Sequence, residues 1–454
     1  MEMLVREIVK ACQGKLLCGD ENAVIRSVST DSRKIDSGTL FVPIKGERTD
    51  AHVYIASTFE KGAAAALTQE HDTMQDTHAW IRVDDTQTAL QQIAAAYRAQ
   101  FDIPVVGITG SVGKTTTKEM VALALSSELN IMYTQGNFNS QIGLPLTMFQ
   151  LTPEHQAAVI EMGMSDFGEM GRLAQIAAPS CAVMTNIGIS HIEQLKTQEN
   201  IMEEKLHITD RFHEDSTLFL NGDDEHLASL KGKFSFQTVF FGTKPWCDYC
   251  AQNIVSDGCS TAFTLVTAKE SEQVVLPALG IHNVLNALAA IAVANSFGIA
   301  SKKAIAALEK YQPLAMRQQI HHVHGITVID DSYNASPDSM VSSLNVLCGL
   351  KNSGKSIAVL ADMLELGELS EKAHFDVGQY CAKAGVDILI TVGERAERIA
   401  EGTRSQNNDA ECYVCQSNEQ ATGKLHELIR EGDAVLVKGS RGMHTDEIVK
   451  ALLQ

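Results

Sequence analysis

The chain has 454 residues, 44% hydrophobic and 20% charged, a composition ordinary for folded globular protein and wrong for disorder, and a length that accommodates roughly two to four cores. With 56 acidic against 37 basic side chains the formal charge is −19, so the chain lacks the cationic face that a nucleic-acid binder needs, and any anionic substrate must be met by local basic groups. The longest apolar run, Leu285–Ala294, is about half of a membrane span, MEMLVREIVKACQGKL has no signal-peptide core, and the ten cysteines are scattered, so a cytoplasmic chain with reduced thiols and no membrane span is expected.

Up to about residue 100, TLFVPIKG reads as a strand, and His52–Gly62 and Thr88–Gln100 carry helical patterns. After Pro104 a second block opens on the apolar run IPVVGIT, turns on glycines and enters a helix expected over Lys114–Leu129. AAVIEMG and CAVMTNIG follow as continuous apolar runs, the pattern of parallel strands covered on both faces, and a long helix is expected over His282–Phe297. Beyond Pro313, ITVIDD, SIAVLAD, DILITV and DAVLVKGS alternate with helical stretches, which predicts a doubly wound parallel sheet. The expected fold class is α/β in three domains: an N-terminal domain over 1–100, a central P-loop nucleotide-binding domain with a parallel sheet over 101–313, and a C-terminal Rossmann-like domain over 314–454.

VVGITGSVGKTTTKEM carries the most specific chemistry. The usual phosphate loop reads G-x-x-x-x-G-K-[ST], but five positions before Gly113 stands Ile108, with Gly107 one further back, so this loop is out of step with the standard one. Gly110 and Gly113 still let backbone N–H groups turn inward on phosphate oxygens, Lys114 adds a cation, and Thr115 adds a hydroxyl for magnesium; ATP binding is the expectation. Glu161 ends AAVIEMG and His191 follows CAVMTNIGIS, so both are expected at the carboxyl edge of the sheet beside the loop, Glu161 as a hard-oxygen magnesium ligand and His191 as a supplementary one. Cys247 and Cys250 in PWCDYC, with Cys412 and Cys415 in ECYVC, imitate a zinc set, but ECYVC reads as a strand in which residues three apart face opposite ways. In IHHVHG, His322 and His324 are expected on one strand face, as surface histidines.

TGSVGKTTTKEM, GNFNSQIGLPLT, EMG, TNIGISHIE, GIHNVLNALAA, AMRQQ and DDSYNASPDSM together resemble, in order, the motifs of the Mur ligase family of ATP-dependent amide-forming enzymes. TDSRKIDSGTLFVPIKGERTDAH is similar to the UDP-binding start of some members, while LADMLELGELSEKAH and VKGSRGMH resemble the branch that adds a dipeptide; the DNPR signature of the diaminopimelate-adding branch is missing. The resemblance implies that ATP and Mg2+ activate the terminal carboxylate of UDP-N-acetylmuramoyl-tripeptide as an acyl phosphate, which the amine of D-alanyl-D-alanine attacks, in a monomeric enzyme of peptidoglycan precursor synthesis. It implies that Gly110, Ser111, Gly113, Lys114, Thr115 and Thr116 hold the phosphates, that Asn283, Asn286, Arg317 and Asp331 complete the ATP site, and that Asn137 and Asn139 line the reacting centre. Asp31, Ser32, Arg33, Lys45 and His52 are implied at the UDP-sugar end, and Asn334, Ser336, Lys438 and Arg441 around the dipeptide. Lys205 matches a lysine that the family carbamylates, an anion that would bind magnesium with Glu161 and His191; here Glu203 and Glu204 precede it, and one of these acids is a candidate substitute ligand. Two other functions stay open: a sister ligase that adds a single amino acid, and a P-loop kinase or nucleotide switch.

Overall fold

The computed structural model describes residues 1–46, 49–350, 354–406 and 409–454; Glu47 and Arg48 of the UDP-binding motif lie outside them. In the N-terminal sheet the strands Ser27–Ser29, Thr39–Phe41, Ala65–Thr68 and Ala79–Arg82 run parallel, and Lys15–Cys18 closes one edge antiparallel. The strand read in TLFVPIKG stops at Phe41, two residues before Pro43, which has no N–H for a ladder. The helical pattern at His52–Gly62 resolves into a 3-10 turn, Ala51–Tyr54, and a short helix, Ile55–Glu60. The helix Thr86–Arg98 starts where the Asp85 carboxylate accepts from Thr88 N at 2.6 Å, and its face of Leu90, Ile93, Ala94 and Tyr97 is buried.

That helix is also the joint to the next domain. It packs on the helices Gly143–Met148 and Glu169–Ala177, and at its end Arg98 is 8% exposed while donating to the carbonyls of Ala177, Phe101 and Ile103 at 3.0, 2.6 and 2.9 Å. A guanidinium with three acceptors can be buried without the penalty of an unsatisfied charge.

The central sheet has nine strands, with Val105–Thr109 between Ala157–Glu161 and Cys181–Met184, all parallel and fully buried. Thr217–Asn221, Gln237–Gly242 and Tyr249–Ser256 continue it in parallel, but Thr261–Val266 and Ser271–Leu276 are antiparallel. The sheet is therefore mixed where a parallel one was expected. A parallel return needs a long crossover, whereas these last strands are joined by tight turns, the first closed by the Asp257 carboxylate accepting from Cys259 N and Ser260 N at 2.9 and 2.7 Å. The helices Lys114–Leu125 and Ile281–Ser296 share one core against this sheet; the first ends four residues before its expected end.

In the C-terminal sheet the order from one edge is Gln319–Val323, Ile326–Asp330, Ala434–Lys438, Ser356–Ala361, Ile388–Val392 and Glu411–Cys415, with the first pair antiparallel and the rest parallel. Separate cores cover its two faces, one containing Met340, Leu344 and Ile399, the other Ala421, Leu425 and Ile448. His322 lies on the edge strand, but His324 does not share its face: it begins the turn into Ile326, with φ 50 followed by Gly325 at φ 77. Among the described residues no helix is long and apolar enough to cross a membrane.

Candidate active site

A cleft of about 710 Å³ is lined from all three parts of the chain, with Gln87 from the first, Lys114 and Glu161 from the second, and Asp331 and Lys438 from the third. Its floor is the turn after Val105–Thr109. Gly110 has φ 150, and a methyl group there would fall 1.8 Å from Thr185 Oγ1; Gly113 has φ 85 and opens the helix Lys114–Leu125. The next strand end moulds the loop: Ser111 N donates to Asn186 O at 3.0 Å, Val112 N to Asn186 Oδ1 at 2.9 Å, and Gly188 N to Ser111 Oγ at 2.9 Å. Lys114 Nζ curls back onto its own loop, donating to Gly110 O at 2.8 Å and Ser111 O at 3.3 Å. Burial pushes its ammonium below the usual lysine range, against the nearby Glu161 carboxylate.

Glu161 is 2% exposed; its Oε1 accepts from Asn139 Nδ2 at 2.6 Å, and its backbone N–H donates to Thr134 Oγ1 at 3.0 Å. Its Oε2 is buried without a hydrogen-bond partner. An orphaned carboxylate oxygen beside a phosphate loop, with the Thr115 side chain also lining the cleft, fits a hard divalent cation. His191 lines the same cleft with φ 61, and its Nδ1 is 2.9 Å from Glu365 Oε2 of the C-terminal sheet domain. Among the described residues Glu161 and His191 are not drawn into a three-ligand group of histidine, cysteine or carboxylate, whereas Asp50, His52 and Glu70 form such a group.

Lys205 does not line the cleft but lies under the loop, 2% exposed, with Nζ donating to Gly110 O at 3.2 Å, the carbonyl that Lys114 also uses. Burial first, and then the Lys114 ammonium, hold its amine well below the lysine range. The acids before it, the candidate substitute ligands, are placed away from the loop. Glu204 is spent on the helix Glu169–Ala177, accepting from Gly168 N and Met170 N at 2.9 Å each, and Glu203 is exposed.

Beside the helix that the loop opens, Asn283 and Asn286 are each 6% exposed; Asn286 Oδ1 accepts from Thr117 Oγ1 at 2.9 Å and braces Gly113. Arg317 stacks on the Tyr333 ring at 4.0 Å, between Met316 and Gln318, which hold left-handed φ values of 64 and 52. Asp331 and Lys438, read as contacts for different substrates, pair with each other at 2.5 Å, and Lys438 also donates to Asn334 O at 3.0 Å. Ser336 caps the helix Pro337–Gly349 through Ser339. Thr116, Asn137, Asn139, Asn334 and Ser336 line the cleft, whereas Arg441 stands outside it with its side chain 56% exposed.

The five residues expected at the UDP-sugar end all lie outside this cleft. Asp31 is clamped by Arg33 through two 2.9 Å bonds, which lower its carboxyl to about 2; Ser32 O accepts from Lys61 Nζ at 2.7 Å, and Lys45 pairs with Glu70 at 3.0 Å. His52 is buried, with Nδ1 2.5 Å from Asp50 Oδ1 and Nε2 accepting from Gln69 N at 3.2 Å, so both ring nitrogens are already engaged.

Three family models match the chain: Mur ligase family, catalytic domain, over residues 24–98; Mur ligase middle domain over 108–294; and Mur ligase, glutamate ligase domain over 316–441. A UDP-N-acetylmuramoyl-tripeptide--D-alanyl-D-alanine ligase of Bacillus subtilis is 39% identical over 99% of this chain and 98% of its own length. The chain belongs to the Mur ligase family. The enzyme of the same name from Escherichia coli is 35% identical over 94% of this chain and 93% of its own. Among solved structures, MurF from Acinetobacter baumannii superposes with a TM-score of 0.93 at 31% identity, covering 100% of this chain and 99% of that one. MurF ligase from Thermotoga maritima in complex with ADP gives 0.85 at 28%, covering 94% and 96%.

Four residues escaped the sequence reading: Asn186 and Asp338 line the cleft, while Lys118, donating to Thr134 O at 2.7 Å, and Thr134, accepting from Glu161 N at 3.0 Å, support it from beneath. Asn186 was signalled by its place at the end of a strand beside the loop. Lys118 and Thr134 work through backbone partners distant in sequence, which no local pattern marks.

Proposed function

We infer that this Mur ligase is an ATP-dependent carbon–nitrogen ligase joining D-alanyl-D-alanine to UDP-N-acetylmuramoyl-tripeptide, with ATP and magnesium, as a cytoplasmic monomer in peptidoglycan precursor synthesis. Its division of labour follows domains 1–100, 101–313 and 314–454, for UDP-sugar, ATP and dipeptide respectively. One observation carries the reading: the phosphate loop and the orphaned Glu161 oxygen face a single cleft that all three parts of the chain line, in a protein similar over nearly its whole length to ligases of that name.

Two anions, a nucleotide and a carboxylate, must meet there although they repel. Gly110, Ser111, Gly113 and Thr116 offer donors to the phosphates. Lys114 swings from its own carbonyls to the transferring phosphoryl group, which the substrate carboxylate receives. Asn137 and Asn139 orient that carboxylate, while Asn283, Asn286, Arg317 and Asp331 hold the rest of the nucleotide. Thr115, Glu161, His191 and a carbamylated Lys205 are the residues that would hold magnesium, which when bound neutralises charge on the phosphate oxygens. Supporting the Lys205 role, its amine is packed against a second ammonium, so the neutral form that combines with carbon dioxide is favoured. Asn334, Ser336, Lys438 and Arg441 take the dipeptide side, and Asp31, Ser32, Arg33, Lys45 and His52 the UDP-sugar side. Incubation with UDP-N-acetylmuramoyl-tripeptide and ATP, with D-alanyl-D-alanine or single amino acids in separate arms, tests the reading by product mass. Extension by a single residue alone identifies a sister ligase, and extension by neither acceptor refutes ligation.

A further inference from the structure

The helix Pro337–Gly349 begins beside the phosphate loop, and its second residue, Asp338, sets a carboxylate against the turn after Cys181–Met184. A methyl group built on Gly188 would fall 2.2 Å from Asp338 Oδ2 and 3.3 Å from Ser111 Cβ, so this carboxylate and the loop residue to which Gly188 donates flank the same glycine. Asp338 lines the cleft, and among the described residues no donor or cation engages it. The neighbouring acid, Asp224, is spent on Ile187 N and Leu227 N at 2.8 and 2.9 Å.

An exposed carboxylate without a protein partner, set beside a loop that collects phosphate, attracts whatever cation enters the cleft. As a first-turn acid Asp338 suits the helix dipole, a role that leaves its exposed carboxylate on the cleft wall and free to take a ligand as well. The oxygen donors suited to magnesium sit on the central domain, at Glu161 and Thr115. Asp338 belongs to the domain that faces them, and the cation left to account for in ligation is the incoming ammonium.

We propose that Asp338 receives the ammonium group of D-alanyl-D-alanine and takes up the proton that this group must lose before it attacks. The inference rests on the ligase reading above. The ammonium passes one proton to the Asp338 carboxylate, and the freed nitrogen pair forms the C–N bond at the acyl phosphate carbon. As the bond from that carbon to the phosphate oxygen breaks, the electron pair leaves with phosphate, which takes the second nitrogen proton; Asp338 then returns its proton to water.

The test compares wild type with Asp338→Asn and Asp338→Glu. Wild-type ligation of the dipeptide checks the underlying reading, and a wild type that does not ligate overturns both. In Asp338→Asn, KM for D-alanyl-D-alanine should rise at least about tenfold and kcat fall, while KM for ATP and for the UDP-linked peptide stay within about twofold. Hydroxylamine trapping of the acyl phosphate without dipeptide should keep its wild-type rate, and Asp338→Glu should recover part of the loss. Unchanged dipeptide kinetics in both variants overturn the proposal, as does a raised KM for ATP or a lost acyl phosphate with dipeptide KM unchanged, which would assign the carboxylate to the nucleotide. Should Asp338→Asn not fold, Asp338→Glu decides: a dipeptide KM equal to wild type counts against the proposal, and a selective rise supports it.

Discussion

Lys118 lies one helical turn beyond Lys114, yet its surroundings differ entirely. Its side chain is fully buried, with Nζ donating to Thr134 O at 2.7 Å and pairing with Glu119 Oε1 at 2.6 Å. Thr134 in turn holds Glu161 through its hydroxyl at 3.0 Å, so this second lysine fixes the strand end that carries the cleft carboxylate. Replacing Lys118 with Met keeps the volume and removes every donor. A buried carbonyl and a mostly buried carboxylate then lose their partner, and urea unfolding should show a loss of about 2–4 kcal/mol. A change below about 0.5 kcal/mol, the size of an ordinary surface substitution, contradicts this role. In the sequence the two lysines look alike; Lys114 was legible because glycines precede it, while the partner that gives Lys118 its meaning is sixteen positions away.

At the scale of elements, the parallel strands and the loop between Thr109 and Lys114 were readable because continuous apolar runs and left-handed glycines have few alternative uses. The antiparallel edge was not readable, since Thr261–Val266 alternates buried with half-buried residues and depends on which neighbour covers it. The residues expected at the UDP-sugar end were the least legible: the pattern that begins at His52 does fall on a short helical turn, but whether a histidine serves a ligand or its own fold depends on Asp50 and Gln69. The central strand Cys181–Met184 offers a test of burial itself. Its first residue is buried enough that the thiol is pushed up to about 12. The unfolded chain releases this proton near pH 8.5–9 and the folded chain only near 12, so the contribution is complete below about pH 8.5 and lost as the pH climbs toward 12. The urea midpoint should therefore fall between pH 8 and about 11, and Cys181→Ala should make that fall shallower; an identical slope in the variant would show that the thiol is not shielded.

Across the whole molecule, two joints of opposite character set the cleft. Arg98 rivets the first joint through three carbonyls, whereas the second runs through Met316 and Gln318, both in strained left-handed backbone, and is bridged by the His191–Glu365 pair. The first should behave as rigid and the second as the moving one. Arg98→Ala is expected to raise KM for the UDP-linked substrate about tenfold and leave KM for ATP nearly unchanged, because only the N-terminal domain is loosened; equal changes in both would contradict a rivet local to that joint. All of this geometry serves one chemical claim, that the γ-phosphate is passed to a carboxylate. The most direct measurement supplies UDP-N-acetylmuramoyl-tripeptide carrying oxygen-18 in its terminal carboxylate, with ATP and D-alanyl-D-alanine, and analyses the released phosphate by mass. One labelled oxygen in each phosphate is the expected result, since an acyl phosphate leaves a carboxylate oxygen on phosphorus; phosphate released alongside amide without label would contradict it.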